Sequence, residues 1–235
     1  MDGKYSLYRN TRMPRHGILA LSVAFFMSVA CSSPSDAGNY SSTIPISPDG
    51  YTLVAAGNPA SNVHVELYID ITCSDTKVVW KTILEVIDLY RDKVYFQLRM
   101  LPLPYHHNAF LISKAAMVVK TYGTDTDIFS FLNYAFEKQA DISNKATADM
   151  SMNQVIDLIR VWTTANTSIT DEQYTTGMTN TEIEMQTRYQ VKYGYLKSIY
   201  GTPMYVINGV VADSLDGSSM KAWTNCLDPL ITLMN

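Results

Sequence analysis

Cys73 is the residue of this 235-residue chain best placed to do chemistry. An alternating apolar run precedes it and a helical pattern follows it, so it falls where a strand turns into a helix. The first turn of a helix presents unpaired N–H groups and partial positive charge, which favour a thiolate over a thiol. A thiolate can attack a disulfide and form a mixed disulfide with it. Asp70 and Asp75 oppose the charge and Lys77 is the nearest cation, while Thr76 is placed to donate a hydrogen bond to the sulfur. Besides Cys73 the chain has only Cys31 and Cys226. Three cysteines cannot build a disulfide scaffold, and the odd count leaves at least one thiol free or paired with another molecule.

Other candidate chemistry is thin. His106 and His107 are adjacent and point apart in an extended segment, so they cannot clamp a metal together, and no metal site is expected. His106 is read as capping the next helix or touching the loop near Cys73. His64 alternates with apolar neighbours and reads as a sheet-face histidine. No Ser/His/Asp set, phosphate-cradling glycine loop or paired-carboxylate motif is present.

The elements that must position Cys73 follow from periodicity. Residues 51–56 read as a short edge strand. Residues 63–70 alternate, with Val63, Val65, Leu67 and Ile69 on one face. Thr72 and Asp75 form a capping-box pattern that opens a helix running to about Tyr90. Residues 94–101 alternate again, so strand, helix and strand make a right-handed βαβ unit with parallel pairing. No strand follows from 108 to about 200. Helical patterns fall instead at 109–121, 127–139, 152–163 and 171–199. Residues 203–207 form a strand, Asn208-Gly209 is the dipeptide of a two-residue hairpin, and residues 210–212 begin its partner. Ser218 or Ser219 then caps a last helix reaching Leu233, with Trp223, Leu227, Leu230 and Ile231 on its inner face. Cys226 lies on that helix.

This order is that of an α/β thioredoxin-like fold with an inserted helical block, at about 108–200, between the βαβ and ββα halves. It resembles the DsbA-like branch of the thioredoxin superfamily over roughly residues 50–235. Two segments carry the resemblance: residues 68–76 (YIDITCSDT) and 201–209 (GTPMYVING). The resemblance makes Cys73 the counterpart of the exposed nucleophilic cysteine and puts Thr76 where a second cysteine would stand. It also implies a cis bond before Pro203, facing Cys73. Thr202 and Pro203 would then offer an open backbone edge on which an extended client can pair as an added strand. Residues 101–110 (LPLPYHHNAF) resemble a subgroup of eukaryotic thioredoxin-like proteins. Without a second cysteine in the motif, a mixed disulfide at Cys73 needs another thiol to resolve it. Cys226 and glutathione are the candidates.

The N-terminus reads as an address. Four basic residues (Lys4, Arg9, Arg12, Arg15) precede an uncharged apolar run at 18–30 that ends Ser-Val-Ala. This describes a secretory signal peptide over 1–30, with an uncleaved anchor as the alternative. A Ser- and Pro-rich lead-in at 31–50 connects it to a single domain over 51–235. Cleavage removes four of the 18 basic residues and one of the 22 acidic ones, leaving a formal charge of −7 and no membrane span. So acidic a chain disfavours nucleic acid as a partner. Sequons at Asn39 and Asn166 fit a glycoprotein of the secretory pathway, secreted or lumenal.

Three functions fit these residues. The first is monothiol disulfide exchange through Cys73 on a thiol- or disulfide-containing peptide or protein. The second is a catalytically degenerate module that binds or holds extended peptides. The third is a glutathione-dependent transferase-like protein.

Overall fold

A computed structural model describes residues 51–234. The expected signal peptide and lead-in, with Cys31 and the Asn39 sequon, lie outside the described residues.

A five-stranded sheet carries the fold. Its strands are β1 (Val54–Gly57), β2 (His64–Ile69), β3 (Tyr95–Met100), β4 (Met204–Ile207) and β5 (Val210–Val211), in the spatial order β1-β3-β2-β4-β5. β2 and β3 are parallel, with Leu67 opposite Leu98, and the other pairs are antiparallel. Helix α1 (Ser74–Leu89) makes the crossover that parallel pairing requires. Its buried face repeats at helical spacing through Val79, Ile83 and Val86. Burying each of these apolar side chains contributes about 1.5–3 kcal/mol. Asn208 and Gly209 both have positive φ, 48° and 82°, as a two-residue hairpin with the right twist requires.

Between β3 and β4 run five helices: α2 (Ala109–Tyr122), α3 (Asp125–Glu137), α4 (Met152–Asn166), α5 (Asp171–Thr179) and α6 (Thr181–Leu196). A 3₁₀ turn, Gln139–Ile142, follows α3. α7 (Met220–Met234) closes the chain, with Trp223 and Leu227 fully buried. The single long helix expected at 171–199 is two. Asn180 is extended, and its side-chain oxygen accepts from Glu182 N and Ile183 N, so it starts a new helix rather than continuing the old one. The helix expected at 127–139 begins at Asp125 because Thr124 and Asp127 form a capping box.

The helical block also explains why the second face of β2 is buried. α6 lies against β3, and its Gln190 Oε1 accepts from Met100 N at 2.7 Å. Gly194 allows the close approach, since a Cβ there would stand 2.9 Å from Leu101 Cδ1. Beneath α6, Glu66 Oε2 takes Arg99 Nε at 2.9 Å and the Tyr68 hydroxyl at 2.7 Å. Its Oε1 takes Lys197 Nζ at 2.6 Å. Burial works to raise the Glu66 pKa, but bonds from Lys197 and Tyr68 and the Arg99 charge outweigh it and hold the carboxyl below its ordinary value.

Candidate functional site

The turn between β2 and α1 is organised around one buried carboxylate. Asp70 is fully buried, and each of its oxygens has two partners. Oδ1 accepts from Thr72 N at 2.8 Å and from the Thr72 hydroxyl at 2.6 Å. Oδ2 accepts from Leu103 N at 2.9 Å and faces His106 Nδ1 at 2.8 Å. Asp70 therefore ties the cysteine-bearing turn to the loop after β3.

The same carboxylate overturns the expected capping box. Thr72 gives its hydroxyl to Asp70, because a buried carboxylate without donors is costly. Cys73 occupies the N-cap position, and no side chain caps the helix. The first-turn amides beside the sulfur thus keep no side-chain acceptor. Cys73 N donates to the Asp70 carbonyl at 3.1 Å. Gln139 Nε2 reaches both the Ile71 and Cys73 carbonyls, at 2.7 and 2.8 Å. Nothing in the sequence singles out Gln139. It acts through the 3₁₀ turn of the inserted block, a placement only the fold supplies.

The Thr202–Pro203 peptide bond is cis, and the loop packs directly on the cysteine. Cys73 Sγ donates to the Thr202 carbonyl at 3.1 Å. Two expectations change here. Cys73 is 6% exposed rather than an open nucleophile, because this loop covers it. The Thr202 carbonyl, expected to hold a client, holds the thiol itself. Thr76 changes too. Its hydroxyl makes no hydrogen bond, so it does not support the sulfur. Position 76 is on the buried face of α1, fully enclosed, and the sulfur spends its proton on Thr202 instead. The Thr202 hydroxyl is likewise buried and unpartnered.

His106 stands at the site through Asp70. Tyr105 is 61% exposed. Its hydroxyl is pushed up in pKa by partial desolvation first, then by its ionisable neighbours Cys73, Asp70 and Asp75. The Asn144 side chain grips the loop on both sides of His106, donating to the Tyr105 carbonyl and accepting from His107 N, each at 2.9 Å. Cys226 is not bonded to Cys73, and both sulfurs are free. It lies on α7, packed against the main core, where desolvation raises its pKa. Asn166 ends α4 with its side-chain amide donating to the Trp162 carbonyl at 2.8 Å.

A family model described as Thioredoxin matches residues 50–228. The chain belongs to the thioredoxin family. Its sheet and inserted helices follow the fold of DsbA-type proteins. Three solved structures share this fold. BdbD from Bacillus subtilis is 17% identical with TM-score 0.59, covering 76% of this chain and 92% of its own. α-DsbA1 from Wolbachia pipientis, in a cysteine-substituted form, is 20% identical with TM-score 0.60, covering 81% and 94%. DsbA2 from Pseudomonas aeruginosa is 17% identical with TM-score 0.57, covering 76% and 94%. No curated protein matches the sequence. No described helix is long and apolar enough to cross a membrane.

Proposed function

We propose that this protein carries out monothiol disulfide exchange through Cys73 on extended polypeptides, outside the cytoplasm. The observation that carries the reading is the sulfur itself. It sits at the uncapped start of α1 and against the backbone of the Thr202–Pro203 loop. Cys73 loses its proton, releases the Thr202 carbonyl and attacks one sulfur of a client disulfide. The new bond is between Cys73 and that sulfur, and the other client sulfur leaves as a thiolate and takes a proton. A second thiol, from the client or from glutathione, then attacks the mixed disulfide and restores Cys73. Thr202 and Pro203 hold the client strand. The N-terminal signal pattern supports a secretory-pathway location, where client disulfides persist and Asn39 and Asn166 can be glycosylated.

A second reading, a peptide-binding module or holdase without chemistry, is favoured by the burial of Cys73 and by threonine at position 76. Mixed-disulfide trapping separates the two. The protein carrying Cys226→Ser is mixed with a peptide disulfide, and the adduct is mapped by mass. An adduct at Cys73 that Cys73→Ser eliminates supports exchange. Peptide binding with no adduct supports the second reading.

A further inference from the structure

Beside the Cys73 turn lies a cavity of about 490 Å³ that the exchange chemistry does not use. Its floor is apolar, with Leu103 from the loop after β3, Phe110 from α2, and Met185 and Val191 from α6. His106 forms part of its wall and is the residue that faces Asp70, so cavity and cysteine turn share one loop. Tyr195 lines it as well, and both Tyr195 and Tyr105, the chain neighbour of His106, are exposed aromatic side chains. A second cavity of about 510 Å³ shares His107 and Phe110 and continues the apolar surface along α2 and α4.

The rim is positively charged, against a chain whose formal charge is −4. Arg188 and Lys192 line the cavity. Glu184 is divided between Arg188 and Lys114, so one carboxylate answers two cations. Lys192 lies over the Tyr189 ring and has no carboxylate partner among the described residues. The site therefore offers apolar surface enough for a large side chain and positive charge at its edge.

We infer that this cavity selects the client: an extended polypeptide whose exchanging cysteine is flanked by a bulky apolar residue and, next to that, an acidic one. The apolar residue fills the space between Leu103, Phe110 and Val191, and the acid meets Lys192. A glutathione molecule lacks an apolar side chain to fill that floor, which is why a polypeptide is the better match. The inference rests on the proposed exchange reaction for its purpose, but binding can be read without chemistry.

The test uses full-length protein and fluorescent peptides carrying Ser in place of Cys, with a Phe-Asp pair on each side. Anisotropy should show the Asp peptide binding about fivefold tighter than its Asp→Lys counterpart, as an exposed charge pair permits. Replacing Phe by Ser should weaken binding at least about tenfold. Lys192→Glu, an exposed change, should invert the preference for Asp over Lys. Equal affinity for all peptides, or a preference unmoved by Lys192→Glu, would overturn the inference. So would glutathione that displaces the peptide while the Phe→Ser peptide binds as well as the parent. Because the peptides carry no thiol, failure of exchange at Cys73 leaves this result unaffected, and uniform binding with working exchange sinks the specificity alone.

Discussion

The sulfur of Cys73 and the carbonyl oxygen of Thr202 lie 3.1 Å apart although 129 positions of chain separate them. The bond joins the βαβ half to the ββα half across the inserted helices. It needs the thiol proton, so it exists only while Cys73 is reduced and protonated. Ser at position 73 keeps a donor, whereas Ala removes it and leaves a buried carbonyl unpaired. Cys73→Ala should therefore unfold about 1 kcal/mol more easily than Cys73→Ser in urea. Equal midpoints for the two would mean that the bond contributes nothing.

Asp70 is the pin of the site. With four donors converging on a fully buried carboxylate, Asp70→Asn must turn an amide N–H toward at least one of them. The expected loss is about 3 kcal/mol of stability. His106→Asn keeps a donor near Nδ1 and should cost less than His106→Leu, which leaves Oδ2 short of one partner. The order Asp70→Asn, His106→Leu, His106→Asn in denaturant midpoints, lowest first, is the expected result, and exchange rate at Cys73 should fall in the same order.

Much of this was legible in the residues. The alternation of Val63, Val65, Leu67 and Ile69 and the Asn208-Gly209 turn are local signals, and both survive in the fold because local geometry decides them. The placement of Cys73 at a helix start is of the same kind. What failed was local pattern that tertiary demand overrode. Thr72 reads as a helix cap, yet a buried carboxylate two residues earlier claims its hydroxyl. Thr76 reads as a sulfur partner, yet its side faces the core. Gln139, Asn144 and the Glu66–Arg99–Lys197 cluster depend on contacts across long stretches of chain, which no spacing encodes.

The pH dependence of folding has a traceable contributor away from the site. Asp127 accepts from Thr124 in the capping box of α3 and from both the amide and the hydroxyl of Ser168, bridging α3 to the loop before α5. Bonds from the Ser168 and Thr124 backbone amides come first in holding its carboxyl down at about 2, from an ordinary value of 3.8. The folded value lies below the unfolded one. The contribution is complete above about pH 4, shrinks between about 4 and 2, and is gone below that. Solvent screening limits it to about 1 kcal/mol or less. Asp127→Asn should thus be less stable than the parent at pH 7 and nearly equal to it at about pH 2, by urea titration at both pH values.

Position 76 offers the sharpest separation of stability from chemistry. The Thr76 hydroxyl is fully buried with no partner, so Thr76→Val removes a desolvated polar group at almost no change in shape. That variant should be at least as stable as the parent, by up to about 1 kcal/mol, with exchange at Cys73 unchanged. Thr76→Cys restores a second thiol one turn along the helix from Cys73. It supplies the resolving sulfur that the motif lacks, so a mixed disulfide at Cys73 should collapse into an internal bond between Cys73 and the introduced thiol and release the client. Trapped adduct should then vanish with reduced client appearing in its place. A Thr76→Cys protein that still accumulates mixed disulfide would mean that the two positions do not come together on this turn, and that resolution depends on a thiol from outside.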